Sequence, residues 1–161
     1  MSAQENKIET FCGINILKLR PPKIAIGFAI IAIAVHYAWS MEAKVLHYPI
    51  CGVLLFAAGF SISACTWAAF RSYNTTLSPV AKPSSFIETG IFRFSRNPIY
   101  FGIVLAMFGI ALVFGTWPLF IAMALFFLVM NGIFIPFEER RMKSLFGENY
   151  GKYYKRVRRW I

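Results

Sequence analysis

Residues 88–102 read ETGIFRFSRNPIYFG, and this stretch decides how the rest of the chain is interpreted. It carries Arg93, Arg96 and Asn97 directly before Pro98, after which the sequence becomes continuously apolar. Proline suits the first turn of a helix, because its φ is fixed near the helical value and its missing N–H would have had no partner there. The free N–H groups of such a turn attract anions. The sequence therefore predicts an anion-binding helix start beside two arginines at a membrane surface.

The composition is that of a membrane protein with one domain. Of the 161 residues, 58% are hydrophobic and 17% are aromatic, and the mean hydropathy is +0.58. This is too apolar for a typical soluble domain. The net charge of +10 comes from short basic segments between apolar runs and from the C-terminal tail. We therefore expect anionic membrane lipids as partners and no nucleic acid.

Four apolar runs predict an all-α, integral membrane helical bundle. They cover residues 24–41, 49–70, 99–114 and 119–135, and the third is short for a hydrocarbon core of about 30 Å. Small residues recur at helical spacing in the second and third runs, which indicates close helix contact.

The distribution of Lys and Arg predicts the orientation. Sixteen of the seventeen lie before the first run, in the connection at residues 71–96, or after the fourth run, and Lys44 is the exception. The positive-inside rule places both termini in the cytoplasm, in either a bacterial inner membrane or the endoplasmic reticulum.

The tail predicts an amphipathic helix on the cytoplasmic side. After a break at Phe146-Gly147, aromatic and apolar residues recur at spacings of three and four, with basic residues between them. These residues are Tyr150, Tyr153, Tyr154, Val157 and Trp160. The helix either docks on anionic headgroups or uses Tyr150 or Tyr153 to close a ligand pocket.

Polar residues also mark the end of the fourth run. Asn131 lies seven residues before Glu138, so the two share one face of a continuous helix, and Asn131 either borders a wet cavity or bonds between helices. Glu138 and Glu139 are adjacent carboxylates, which need water, cations or a ligand near hydrocarbon. Alternatively, they pair with Arg141 and Lys143 on an exposed turn. The sequence has no metal-binding or nucleotide-binding motif, so we expect no metal.

Two segments resemble a known family. TGIFRFSRNPIYFG at residues 89–102 and FEERRMKSLFGENYGKYYKRVRRWI at residues 137–161 are similar to the isoprenylcysteine carboxyl methyltransferase group of the membrane phospholipid methyltransferase superfamily. The resemblance implies a single domain, 1–161, whose residues 71–161 bind S-adenosylmethionine, while a lipophilic acceptor arrives from the bilayer. It also implies cofactor-binding positions, which are Ile87, Phe92, Asn97, Pro98, Tyr100 and Glu138.

The chemistry of S-adenosylmethionine suits these residues. The molecule presents a carboxylate, an amine and a sulfonium, so its site needs hydrogen-bond donors, a carboxylate and aromatic faces. Arg96 and the helix start supply donors, and Glu138 supplies the carboxylate. Phe92, Tyr100 or Tyr150 supplies an aromatic face, and Tyr150 is included among the cofactor-binding positions. We assign Arg96 and Glu139 as catalytic residues.

Two positions depart from the family pattern and leave the acceptor open. Many relatives have histidine where this chain has Asn97, and an amide cannot titrate near neutral pH. Phe134 stands where the eukaryotic prenylcysteine enzymes have an arginine thought to hold the substrate carboxylate. A phospholipid amine is the alternative acceptor. A membrane reductase that uses NADPH and a non-enzymatic membrane scaffold are the alternatives of other classes.

Overall fold

The computed structural model describes residues 21–38, 45–73 and 86–161. No strand occurs in these ranges, so the prediction of an all-α fold is confirmed. The elements in chain order are α1 (Pro21–Ala38), α2 (Pro49–Ser72), a 3-10 turn (Gly90–Arg93), α3 (Pro98–Phe114), α4 (Trp117–Val129), a π-helical turn (Met130–Phe134) and α5 (Ile135–Arg156). Residues 1–20, 39–44 and 74–85, which carry part of the basic pattern behind the predicted orientation, lie outside the described residues.

Proline marks the start of all five α-helices, at the first or second helical residue. Pro21, Pro49 and Pro98 are each the first residue of their helix. Because proline is tolerated in the first turn, α1, α3 and α4 begin one to three residues earlier than the apolar runs alone predicted.

Three helical segments are long and apolar enough to cross a membrane: Pro21–Ala38, Pro49–Ser72 and the stretch Trp117–Arg156. The fourth, α3, has 17 residues and spans about 26 Å at 1.5 Å per residue. Large apolar side chains on the outer faces of α1 and α2 are exposed, among them Ile30, Ile31, Ile50, Leu54 and Phe60. Exposed apolar side chains on such helices suit contact with lipid, and the predicted membrane bundle is confirmed.

Helix α3 lies at the centre of the bundle, where it packs against α1, α2 and α4. Its contact with α2 is the most extensive, because glycines let the two backbones approach each other. A Cβ atom on Gly52 would lie 2.6 Å from the carbonyl oxygen of Gly109, and one on Gly59 would clash with the carbonyl oxygen of Gly102. The small-residue faces predicted from the sequence therefore meet.

The end of the fourth membrane helix contains a π-helical turn. The N–H of Ile135 donates to the carbonyl of Met130, five residues earlier. This turn lies directly before Pro136, which has no N–H to continue the α-helical pattern. Asn131 is therefore held in a turn of a type often found at functional sites.

Helix α5 leads from the membrane to the C-terminal residues. Gly147 has φ +51° and ψ −125° inside it, so the predicted break at Phe146-Gly147 is present as a kink. The helix ends at Arg156, and Val157 is extended with φ −109° and ψ 135°. The prediction that Val157 and Trp160 belong to the amphipathic helix is therefore wrong. Contacts from the residues before α3 cap the end of α5, as described below.

The close approach of α2 and α3 is tested by adding one methyl group. We expect Gly59→Ala to lower the free energy of unfolding by about 1–3 kcal/mol, because the new Cβ would meet backbone atoms of Gly102 and Ala106. Gly27→Ala is the matched control, since nothing lies within 4 Å of a Cβ there. Thermal unfolding in detergent measures both. Equal midpoints for the two variants would contradict close packing at Gly59.

Candidate functional site

Two polar clusters, residues 95–100 at the start of α3 and the acidic pair Glu138-Glu139 near the start of α5, are in contact. The hydroxyl of Tyr100 donates to Glu138 Oε1 over 2.6 Å. The guanidinium of Arg96 donates from Nη2 to Glu139 Oε1 over 2.8 Å. These residues are 38 and 43 positions apart in the chain, so the fold brings a loop and a distant helix together.

Arg96 is held on nearly every side. Its Nη1 donates to the carbonyls of Tyr154 and Val157, both over 2.7 Å, and its guanidinium lies 3.9 Å from the centre of the Tyr154 ring. Its backbone N–H donates to the carbonyl of Arg158 over 3.0 Å. A cation that binds the last carbonyls of a helix stabilises that end, so Arg96 caps α5 and sets where it stops. One buried donor, Nε, has no hydrogen-bond partner.

Glu139 is a buried carboxylate shared by two guanidiniums. Its side chain is 10% exposed, and Arg159 binds it through Nη2 over 2.6 Å and through Nε over 3.3 Å, in addition to Arg96. The hydrogen bond to Glu139 raises the pKa of Arg159, which favours its charged form. The geometry contradicts the alternative in which Glu139 pairs with Lys143 on an exposed turn. Two cations and one anion give this cluster a net charge of +1.

Arg159 belongs to the C-terminal strap, which we define as residues 157–161. Asn131 Oδ1 accepts hydrogen bonds from Arg159 Nη1 over 3.3 Å and from Trp160 Nε1 over 3.1 Å. The indole of Trp160 also stacks on the ring of Phe127, with centroids 4.9 Å apart. One of the two interpretations of Asn131 was a bond between helices. Asn131 does bond to another element, but its partners lie in the strap and not in a neighbouring helix.

The strap also engages the residues that precede α3. Asn97 is 7% exposed, and its Nδ2 donates to the carbonyl of Arg159 over 3.1 Å. The hydroxyl of Ser95 donates to the same carbonyl over 3.4 Å. The side chain of Asn97 does not cap α3, although the residue occupies the N-cap position, and Pro98 is fully buried behind it.

The other predicted pocket residues are associated with a cluster of aromatic side chains that joins α5 to the residues preceding α3. Tyr150 is 5% exposed and packs against Phe86 and Tyr153. The hydroxyl of Tyr153 donates to the carbonyl of Phe92 over 2.8 Å. Ile87 and Phe92 are both buried. The structure therefore joins Arg96 to Glu139, Tyr100 to Glu138 and Asn97 to the strap. Tyr150 lies among the aromatic rings, Phe92 is joined to them through Tyr153, and Ile87 is buried.

Sequence reasoning missed Arg159, Trp160 and Ser95 as members of this network. A signal for Arg159 was present, because a buried acidic pair near a basic tail needs cationic partners. Phe134, which stands where the resemblance places the arginine of the eukaryotic prenylcysteine enzymes, is fully buried in the core of the bundle and acts in packing.

The chain offers a matched test of the buried charge cluster. We expect Glu139→Gln to lower the free energy of unfolding by about 3 kcal/mol, because it leaves two guanidiniums without their carboxylate. Glu88→Gln breaks the exposed ion pair with Arg156, 2.9 Å long, and is expected to cost less than about 1 kcal/mol. Thermal unfolding of both variants in detergent gives the comparison, and a loss for Glu139→Gln no larger than for the control would disprove this role.

Comparison with known proteins agrees with the geometry. A sequence profile of the phospholipid methyltransferase family matches residues 48–149, which contain both polar clusters and α2 to α4. No curated protein and no solved structure matches the chain significantly. The predicted resemblance is thereby confirmed, and the family implies methyltransferase activity in a membrane. The chain belongs to the phospholipid methyltransferase family of integral membrane proteins.

Proposed function

We propose that this protein transfers the methyl group of S-adenosylmethionine to a lipophilic acceptor at the cytoplasmic membrane face, as isoprenylcysteine carboxyl methyltransferase-like enzymes do. The observation that carries the proposal is the convergence of the segment before α3 with the acidic pair of α5. Tyr100 contacts Glu138, and Arg96 contacts Glu139, so donors and a carboxylate stand side by side.

The groups at this convergence fit the amino-acid part of the cofactor. Arg96 Nε is a buried donor without a partner, which suits the cofactor carboxylate. The backbone N–H groups of Ile99 and Tyr100 are two further donors. They are free of bonds within α3, because its first hydrogen bond runs from the N–H of Phe101 to the carbonyl of Asn97, over 3.1 Å. Glu138 accepts one bond from Tyr100, and a carboxylate can accept about four, so it can also bind an amine.

When bound, the cofactor supplies a methyl group on a sulfonium, and the chain contributes position and exclusion of water. Tyr100 fixes the orientation of Glu138 through a short hydrogen bond. Arg96 and Glu139, the residues predicted as catalytic, hold each other at the helix start, and in this proposal they keep the surrounding segments in register. In this proposal the buried residues Ile87, Phe92 and Tyr150 border the cofactor on the side of the loop before α3.

A second candidate acceptor follows from the family itself. The matching family is described by phospholipid methylation, which favours a lipid amine as the group that receives the methyl. Phe134 is uncharged and buried, so the position that would hold a prenylcysteine carboxylate holds no cation here. With either acceptor the cofactor is the same and the acceptor arrives from the bilayer. The two differ in the bond formed with the methyl group, which is to oxygen in a carboxyl ester and to nitrogen in an amine.

Cofactor binding is tested with S-adenosylhomocysteine, the demethylated product. We expect Glu138→Gln to weaken its binding about 10- to 100-fold, because a hydrogen bond to a charged group contributes about 1.5–3 kcal/mol. Glu148→Gln removes an exposed acidic side chain from the same helix and is the control. Isothermal titration of detergent-purified protein measures both variants. Unchanged affinity in Glu138→Gln, or no binding by the wild type at millimolar ligand, would refute the proposal.

The acceptor is tested by the stability of the product. Membranes that contain the protein, incubated with methyl-labelled S-adenosylmethionine, are expected to yield label in the organic-soluble fraction. A carboxyl methyl ester releases volatile methanol in mild base, whereas an N-methylated amine keeps the label. Release supports the prenylcysteine-like acceptor and retention supports the phospholipid amine. Label no higher than in membranes with Glu138→Gln argues against both.

A further inference from the structure

The side-chain amide of Asn131 uses only one of its two ends inside the protein. The residue lies in the π-helical turn, within the apolar stretch that joins α4 to α5. Its Oδ1 accepts hydrogen bonds from Arg159 Nη1 over 3.3 Å and from Trp160 Nε1 over 3.1 Å. Both partners can only donate, so the amide oxygen faces the strap and the NH₂ group points away from it.

The NH₂ group of Asn131 has no acceptor in the protein. Nδ2 has no hydrogen-bond partner among the residues that the structure describes. It is also not enclosed, because the buried side-chain atoms without a partner in these ranges are His36 Nδ1, Arg96 Nε and Thr116 Oγ1. An amide donor that faces hydrocarbon is costly unless another molecule accepts its hydrogen bonds. Nδ2 therefore requires an acceptor from outside the protein.

The surface around this amide is open to the bilayer. Leu128, Asn131 and Gly132 lie three and four residues apart, so they share one face of the helix. Leu128 is 60% exposed, and Gly132 is exposed with nothing within 4 Å of its Cβ position. The stacked rings of Phe127 and Trp160 adjoin this face. The amide thus borders an apolar surface along which a lipid-like chain can lie.

The π-helical turn aligns Asn131 with the charged cluster. A π turn contains one residue more than an α turn, so Asn131 comes into register with Glu139 and not with Glu138, as a continuous α-helix would have it. One guanidinium bridges the two side chains accordingly, since Arg159 donates from Nη1 to Asn131 and from Nη2 to Glu139 over 2.6 Å. An oxygen bound at Asn131 Nδ2 would therefore lie on the membrane side of the acidic pair.

The charges beside the amide favour an anionic oxygen. The side chain of Arg159 is 31% exposed, and the cluster of Arg96, Arg159 and Glu139 carries a net charge of +1. Near hydrocarbon this charge is screened less than it would be in water. The oxygen of a carboxylate or a phosphate meets both requirements, because it accepts hydrogen bonds from the amide and is attracted by the cluster.

We propose that Asn131 is a specificity-determining residue, whose NH₂ group binds an anionic oxygen of the lipophilic acceptor while Arg159 and Trp160 hold the amide in that orientation. The identification of this ligand as the methyl acceptor rests on the proposed function. The oxygen belongs either to a carboxylate on a prenyl chain or to the phosphate of a lipid. The apolar chain of either molecule lies along the face of Leu128 and Gly132.

Two pairs of probes separate these sources. N-Acetyl-S-farnesylcysteine carries a carboxylate, and its methyl ester is the uncharged counterpart. Oleoyl-lysophosphatidic acid carries a phosphate, and 1-oleoylglycerol is the uncharged counterpart. Binding of each tritiated probe to detergent-purified protein is measured by scintillation proximity.

Asn131→Asp is the decisive variant. It keeps an oxygen that accepts hydrogen bonds from Arg159 and Trp160, and it replaces the NH₂ group with a second acceptor. We expect it to bind the anionic probe about 10- to 100-fold more weakly, because a hydrogen bond to a charged group is lost, and the uncharged counterpart within twofold. Asn131→Leu removes the donors without adding a negative charge and is expected to weaken the same probe. Asn149→Asp, at an exposed position of α5, is the matched control and is expected to change neither.

The outcomes identify the source or overturn the inference. Loss confined to the farnesylcysteine probe identifies a carboxylate, loss confined to the lysolipid identifies a phosphate, and loss of both identifies an oxyanion site that takes either. The inference is wrong if the wild type binds neither anionic probe more tightly than its counterpart, if Asn131→Asp stays within twofold of the wild type, or if the variants weaken the uncharged probes equally.

The affinity for S-adenosylhomocysteine distinguishes this inference from the proposed function. We expect Asn131→Asp to bind it as the wild type does, because the amide contacts the strap and not the proposed cofactor groups. Selective loss of the anionic probe in a protein that binds no S-adenosylhomocysteine would contradict the proposed function and leave the oxyanion site at Asn131 in place. Binding of S-adenosylhomocysteine with unchanged probe affinities would do the reverse.

Discussion

The carboxylate of Glu139, shared between Arg96 and Arg159, is the interaction on which the polar end of this molecule depends. It joins the loop before α3, the N-terminal part of α5 and the C-terminal strap. A buried charge without a partner is far more costly than a buried pair is favourable, so each of the three segments needs the other two in place. The geometry of the site is consequently a property of the assembled cluster, and no single segment contains it.

The same cluster explains how two adjacent carboxylates can have different roles. Neighbouring residues on a helix point about 100° apart, so Glu138 and Glu139 meet different surroundings. Glu139 faces the two guanidiniums and is bonded through both oxygens. Glu138 accepts a hydrogen bond from the hydroxyl of Tyr100 at Oε1 and therefore keeps further acceptor sites for a ligand. One carboxylate builds the frame and the other is the group we expect to bind the cofactor.

The helices could be predicted from the sequence because they follow local rules. Apolar length, a proline in the first turn and small residues at helical spacing are enough to define α1 to α4 and the contact of α2 with α3. The end of α5 could not be predicted in this way. The periodic pattern continues through Val157 and Trp160, but Arg96 binds the carbonyls of Tyr154 and Val157 and stops the helix. A tertiary contact from 58 residues away overrides the local pattern.

The position of the strap also changes how the family match should be interpreted. The matched region ends at residue 149, yet Arg159 and Trp160 bind Glu139 and Asn131, which lie inside that region. Asn97, in the motif before α3, also bonds to the strap. Residues outside the matched region thus complete the hydrogen bonds of residues within it. Because the strap reaches both polar clusters and the π-helical turn at Asn131, the shape of the site in this chain depends on residues beyond the matched region.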